Sequence, residues 1–479
     1  MARSLKKNFL YQAAWQLLLI LTPLVTTPYL SRVLGASQVG VYSFTFSITN
    51  YFVLFAVLGM STYGVREIAA CGEDRARRSG VFWNAYAAQA ATSGLVLVVY
   101  IAYMLVFPQG GFVVCLVWGM WVLSALLDVS WLLFGVEEFR IPTVRSIVTK
   151  LASVVCIFVF VRGPEDLWIY CAAIAGSYLA NQMLLWPFVK RYVGRAPLVG
   201  AQVWRHFKGS LRLFVPVVAI SLYVTLDKVM LGAMTNMVQT GFYEYSEKLS
   251  KMPMAVITAM GTVMLPRMTA QLKEGNRDAA LDLLERSVWA MLALAFALMF
   301  GIMAIAPEFA CVFLGEEFAD CWLLMVVIAL VIPVISTTNV LGRQYLLPTQ
   351  RDGLFTLSVC VGAVVNVGLN LVLIPLFAAL GAAVATVCAE VAVLVAQVLM
   401  TREELPLGTY AKNALPFAVC GAVMLLVVRL CAGAFNAAWG FSVQGLVLEI
   451  LVGVAVFLLL ALTWCKATNN PHLQALRRR

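Results

Sequence analysis

The sequence predicts an all-α integral membrane protein of about fourteen transmembrane helices, and three observations predict it. Hydrophobic residues make up 62% of the 479-residue chain and charged residues 12%, with a mean hydropathy of +0.89. A water-soluble domain cannot bury that much apolar surface, so lipid must solvate most of it. The apolar residues also fall into runs of roughly 20, the length that crosses a bilayer as a helix. Finally, the basic residues collect in alternate connections between those runs, as membrane orientation requires.

The runs are 9–30, 38–62, 80–106, 111–134, 141–161, 167–188, 211–234, 239–264, 287–306, 320–342, 353–376, 379–400, 413–431 and 443–465. The first is too long for a cleaved signal peptide and lacks a small-residue cleavage site. The fifth and eighth carry charges. With the N-terminus placed in the cytoplasm and the sides alternating, 26 of the 34 Lys and Arg lie in cytoplasmic segments. Three lie in outer loops (Arg32, Arg162, Arg429), and the rest lie within runs. A miscounted run would scramble that asymmetry, so both termini are expected in the cytoplasm.

The outer loops are short; the longest is expected at Pro307 to Asp320 and another at Gly433 to Phe441. The longest cytoplasmic connection, Lys190 to Arg212, contains VWRHFKGSLRLF, a basic amphipathic stretch that suits an anionic leaflet. A second stretch, RMTAQLKEGNRDAALDLLERS, reads equally well as a leaflet-bound or a plain surface helix.

Composition also excludes functions. The net charge of +10 is spread over many short loops and reflects orientation, so no nucleic-acid partner is expected. Eleven cysteines are scattered without a CxxC and read as small apolar residues; Cys311 and Cys321 flank an outer loop, so a pairing between them is left open. The two histidines, His206 and His472, cannot build a metal cluster or a nucleophilic triad. There is no Gly-rich phosphate loop, so neither cofactor, metal nor ATP hydrolysis is expected.

The chain carries a weak internal repeat. LSRVLGASQVGVYSF (30–44) aligns with LDKVMLGAMTNMVQTGFYEYS (226–246), matching Gly35 to Gly232 and Tyr42 to Tyr243. Runs 1–6 and 7–12 then form two parallel copies of one six-helix bundle. Residues 1–207 are the first bundle, 208–401 the second, and 402–479 two additional helices with a cytoplasmic tail.

Charges inside the runs carry the functional reading, because each costs roughly 2.5–3.5 kcal/mol near a span centre. Asp227 and Lys228 stand side by side in the outer half of run 7. In run 8, Glu244, Glu247, Lys248 and Lys251 follow i, i+3, i+4, i+7 spacing and share one helix face at similar depth. Asp128 in run 4 could pair with Arg145 in run 5, which also holds Lys150. Arg32 sits at the first outer turn, Glu390 in run 12, and Glu449 in run 14, against a neighbouring helix. Taken singly, such pairs can be structural ion pairs that fix helix register. As a set they suggest a polar cavity able to hold an anion.

At these residues the sequence resembles the oligosaccharide (O-antigen-type) flippase family, the polysaccharide transporter branch of the multidrug/oligosaccharidyl-lipid/polysaccharide (MOP) superfamily. The matching stretches are TTPYLSRVLGASQVGVYSF, LGMSTYGVREIA, LDVSWLLFGVEEF, HFKGSLRLFVPVVAISLYVTLDKVMLG with GFYEYSEKLSKMP, and LGAAVATVCAE. Gly209 departs from the pattern, where proline is common. The resemblance implies two six-helix bundles in a V, as in MATE-like transporters, plus two C-terminal helices. It implies alternating access, a polyprenyl-diphosphate-linked oligosaccharide as cargo, and a place in the cell inner membrane. It also implies a polysaccharide polymerase and a chain-length regulator as partners. On that reading Arg32, Arg145, Lys150, Lys228, Lys248 and Lys251 line the headgroup path. Asp128, Asp227, Glu244, Glu247 and Glu390 balance charge or couple an ion.

Two rival functions remain open. A cation or drug antiporter would want acidic groups in an apolar pocket, and three lysines argue against it. A membrane glycan polymerase or ligase would need a large outer loop with catalytic groups, which this chain lacks. A purely structural scaffold leaves the intramembrane charges unexplained.

Overall fold

The computed structural model describes residues 2–108 and 110–468; His472 and the C-terminal arginines lie outside them. Among the described residues the chain is helical without strands, and ten helices are long and apolar enough to cross a membrane. The chain divides into two compact units, Met1–Gly232 and Ala233–Arg479.

In the first unit, α1 (Ala2–Val57) carries the first two expected spans. It breaks at Gly35, whose φ of 72° suits a residue without a Cβ. Then come α2 (Met60–Ala69), α3 (Arg75–Val106), α4 (Phe112–Leu126), α5 (Ser130–Gly135), α6 (Arg140–Phe160), α7 (Leu167–Met183), α8 (Trp186–Tyr192) and α9 (Gly200–Met234). The fourth expected span is α4 and α5 separated by a short break, which frees backbone carbonyls inside an apolar unit. Gln89 of α3 takes them up: its Nε2 donates to the Ala125 and Asp128 carbonyls at 2.8 and 2.9 Å. Its Oε1 accepts from Trp131 Nε1 at 2.9 Å. Trp131 in turn needs glycine at 64, since a Cβ there would stand 2.6 Å from the indole. An aromatic layer of Phe46 stacked on Trp121, with Trp118 donating to Thr45 Oγ1 at 3.0 Å, fills the space between α1 and α4.

The connection after α8 is short. Residues 193–199 have no regular structure, and the basic stretch VWRHFKGSLRLF forms the early turns of α9, continuous with the seventh span rather than a separate surface helix. Gly209 does not interrupt α9. Instead it makes room for Tyr63, whose ring would lie 2.3 Å from a Cβ at that position. Tyr63 Oη hydrogen-bonds His206 Nδ1 at 2.8 Å. Burial pushes the His206 imidazole below its ordinary pKa, opposed by the nearby Glu67 carboxylate.

The second unit opens with α10 (Met237–Lys251), capped by Asn236, whose Oδ1 accepts from Gln239 N at 3.0 Å. A 3-10 turn holding Pro253 separates it from α11 (Ala255–Lys273), so the eighth span is two helices. The second amphipathic stretch is not one helix. It ends α11, turns at Gly275 (φ 74°) and starts α12 (Arg277–Phe309). The longest expected outer loop is largely helical, because α12 runs on into a π turn (Ala310–Leu314) and a 3-10 turn (Glu316–Phe318). Cys311 and Cys321 are both free thiols, and Cys321 Sγ donates to the Phe242 carbonyl at 3.7 Å. Next follow α13 (Cys321–Ala329), α14 (Val331–Thr338) and a π-helical segment (Asn339–Leu346).

Finally, α15 (Asp352–Thr401) carries spans 11 and 12, and α16 (Leu407–Trp439) and α17 (Val443–Ala467) form the last hairpin. α15 breaks at Ala378 (φ 49°, ψ −127°). Its two limbs fold back closely: a Cβ on Gly381 would come within 2.1 Å of the Leu373 carbonyl. Farther along, Gln397 Nε2 donates to Ser358 Oγ at 3.1 Å.

Candidate functional site

In the first unit, α9 brings the Asp227–Lys228 pair to the end of the unit. Asp227 is 2% exposed. Its helix lies against α1 through Tyr51 Oη, which donates to the Ser221 carbonyl at 3.4 Å. It also does so through Gly232, where a Cβ would meet Phe44 at 2.3 Å. These contacts bracket Asp227 along α9. The two glycines matched by the repeat differ in conformation: Gly35 breaks a helix, whereas Gly232 stays within α9 and serves close packing. The turn into α10 comes later, at Asn236.

The expected Asp128–Arg145 pair does not form. Asp128 Oδ1 accepts the Ser130 N–H at 2.9 Å, because the break before α5 leaves that donor without a helical partner. Arg145 Nη1 donates to the Asn181 carbonyl of α7. Lys150 lies half-buried five residues farther along α6. Arg32 is exposed within α1, with Nη1 donating to the Pro28 carbonyl at 2.8 Å.

In the second unit the polar stripe on α10 is present. Glu244 and Glu247 are buried. Lys251 Nζ donates to Glu247 Oε1 at 2.7 Å. Lys248 Nζ stands 5.7 Å from the Tyr245 ring centroid. α10 is tied to the second limb of α15 twice. Gln239 Oε1 accepts the Ala379 N–H, freed by the break at Ala378, at 3.3 Å. Tyr243 Oη pairs with Thr386 Oγ1 at 2.9 Å. Glu390, also buried, lies one turn beyond Thr386.

Sequence reasoning missed Asn366 and Asn370 on the first limb of α15. Both are fully buried, and Asn370 Nδ2 donates to Asn366 Oδ1 at 3.2 Å. The limb contacts Gly381–Leu373 and Gln397–Ser358 bracket Glu390 on one limb and the two asparagines on the other. All three therefore lie between the same two contacts. The available signal was NVGLN, two amides four residues apart inside an apolar run, each costly in lipid unless partnered. Among the described residues no cluster of three His, Cys, Asp or Glu could hold a metal.

One further placement differs from expectation. Arg429 is not in an outer loop but inside α16, with Nη1 2.6 Å from Glu308 Oε2 and 3.0 Å from the Ala304 carbonyl of α12. Asn436 Nδ2 completes Glu308 at 2.8 Å. Arg429 lies within the apolar run 413–431, and small residues carry the helix two turns beyond that run, to Trp439.

Comparison with known proteins agrees with this architecture. Residues 5–272 match the family described as polysaccharide biosynthesis protein. A provisionally named O-antigen transporter of Escherichia coli K12 is 22% identical over 396 residues, 81% of this chain and 94% of that one. A provisionally named low-salt glycan biosynthesis flippase of Haloferax volcanii is 23% identical over 164 residues, 34% of each chain. Among solved structures, the lipid II flippase MurJ matches with a TM-score of 0.76 at 14% identity, covering 97% of this chain and 99% of that one. A multidrug resistance MATE family transporter of the MOP superfamily matches at 0.64 and 15% identity, covering 83% and 96%. The fold is the one these transporters share.

Proposed function

The chain belongs to the polysaccharide biosynthesis protein family, and on that premise we propose that it is a flippase for a lipid-linked oligosaccharide. The cargo in this reading is an oligosaccharide on a polyprenyl diphosphate. It moves from the inner to the outer leaflet of the cytoplasmic membrane by alternating access, for surface polysaccharide synthesis. The chain is a multi-pass membrane protein, with both termini placed in the cytoplasm by the charge asymmetry. It is a transporter rather than an enzyme, in keeping with the names of its relatives. A polymerase and a chain-length regulator are its proposed partners.

The observation that carries the reading is the presence of basic side chains inside apolar helices of both units. Arg145, Lys150 and Lys228 lie in the first, and Lys248 and Lys251 in the second. With Arg32, they are proposed to guide the headgroup, because Arg and Lys bind diphosphate oxygens through charge-assisted hydrogen bonds. Asp128, Asp227, Glu244, Glu247 and Glu390 balance them or couple an ion. The membrane potential helps an anion leave a negative interior by roughly 2.3 kcal/mol per charge per 100 mV.

The test is exposure of a fluorescent polyprenyl-diphosphate oligosaccharide on the far leaflet of proteoliposomes. Protein-dependent exposure supports the flippase. Its absence, together with uptake of an organic cation, gives the function to the antiporter reading.

A further inference from the structure

One polar cavity of the second unit uses none of the residues assigned to the headgroup. It measures about 270 Å³ and lies among the end of α11, the start of α12, the π-helical segment and the turn before α15. Leu272 and Leu281 form apolar walls, and Arg277, Tyr345, Arg351 and Glu404 bring the polar groups. Glu404 is already satisfied. Its Oε1 accepts from Arg351 Nη1 at 2.6 Å, and its Oε2 accepts from the Tyr345 hydroxyl. Arg277 is not. It is exposed at the start of α12, and among the described residues its guanidinium makes neither a hydrogen bond nor an ion pair. Its charge is nevertheless felt at Glu404, so it stands at the cavity without closing on the carboxylate. The neighbouring acids Asp278 and Asp352 are exposed and do not line the cavity.

We propose that this cavity binds a phosphomonoester, with its phosphoryl oxygens held between Arg277 and Arg351. The charge count gives the sign of the ligand. Two guanidiniums, ionised at any working pH, face one carboxylate, which leaves a net positive charge. The donor count gives its type. Arg351 spends one nitrogen on Glu404 and Arg277 spends none, so both forks keep N–H groups for a ligand. A ligand carboxylate has two oxygens, which one fork saturates, whereas a phosphoryl group has three, which two forks can share. Access is open on both sides: Arg277 is exposed, and the Arg351 side chain is 37% exposed. The volume lies just under the range of drug-sized pockets, about 300 to 1,000 Å³. It holds a phosphoryl group on a short carbon arm, with Leu272 and Leu281 against the carbons, and is too small for a nucleotide or an oligosaccharide. A soluble phosphomonoester and the head of phosphatidic acid share this chemistry. The site is independent of the flippase reading.

The experiment titrates the full-length protein, purified in uncharged detergent at pH 7 and fixed chloride, and follows binding by calorimetry. The probes are glycerol 3-phosphate, dihexanoylphosphatidic acid and dihexanoylphosphatidylcholine. At least one of the two phosphomonoesters should bind saturably, and about tenfold or more tightly than the zwitterionic phosphatidylcholine. Binding of glycerol 3-phosphate assigns the site to a soluble ester, and binding of phosphatidic acid alone assigns it to a lipid head. Arg277→Gln removes an exposed side chain outside every ion pair and should weaken the bound probe by about tenfold or more. Glu404→Gln keeps acceptors for Arg351 and Tyr345 but removes the competing charge, so it should tighten the same probe. If that variant fails to fold, the Arg277 comparison decides alone. The proposal is overturned if neither phosphomonoester binds, if Arg277→Gln leaves the affinity unchanged, or if folded Glu404→Gln does not raise it.

Discussion

Lys251 Nζ lies 2.7 Å from Glu247 Oε1, one turn away on the same face of α10. Glu247 is buried and Lys251 partly so, so the pair sits between the cheap surface case and the costly interior one. Lys251→Ala removes a charged donor from a buried carboxylate and should destabilise the second unit by about 1–3 kcal/mol. Adding Glu247→Gln should recover much of the loss, because the charge that Lys251 balanced is then removed as well. Thermal denaturation of the three variants in detergent checks this.

The limbs of α15 meet where Gly381 faces the Leu373 carbonyl, and backbone cannot yield as a flexible side chain can. Gly381→Ala should cost about 1–3 kcal/mol through overpacking. Three residues earlier, Ala378 holds a positive φ that suits glycine. Ala378→Gly should therefore be neutral or stabilising by up to about 1 kcal/mol. Opposite shifts in melting temperature from two small substitutions three residues apart would show that the break is strained at one residue and crowded at the other.

Glu404 receives Arg351 Nη1 at 2.6 Å and also the Tyr345 hydroxyl. The hydrogen bond from Arg351, then that from Tyr345, holds its carboxyl below the ordinary value. A carboxyl with a folded pKa below its unfolded one stabilises the fold at pH values above the unfolded value, about 4.3. That contribution disappears as pH falls through the folded value. Melting temperature should drop on acidification below about pH 4.3, and Glu404→Gln should lower the neutral plateau and flatten that limb. A variant with an unchanged acid limb would mean that other groups dominate there.

Much of this architecture was legible because lipid imposes one rule on every span, a continuous apolar run. The breaks at Gly35 and Ala378 fall in the gaps left between runs 1 and 2 and between runs 11 and 12. The α10 stripe was legible because charges in an apolar run are rare and their spacing names a face. Neutral polar groups were harder. Gln89, Asn366 and Asn370 carry no charge, so only their partners in three dimensions reveal that they are buried and bonded. Partner choice was also hidden, since Asp128 and Arg145 each found backbone instead of one another. Helix ends were harder at α16, where Arg429 lies within the apolar run itself and small residues carry the helix on to Trp439, past the expected loop start at Gly433.

The central claim is that basic side chains inside these helices guide an anionic headgroup across the membrane. The most direct measurement is the initial rate at which a fluorescent polyprenyl-diphosphate oligosaccharide reaches the far leaflet of proteoliposomes. It would be taken for wild type, Lys228→Ala and Lys248→Ala at matched protein content and fixed ion gradients. The account predicts translocation by wild type and a loss of about tenfold or more in each variant, equivalent to about 1.4 kcal/mol or more of lost stabilisation, with melting temperatures close to wild type. Wild-type rates in both folded variants would contradict it.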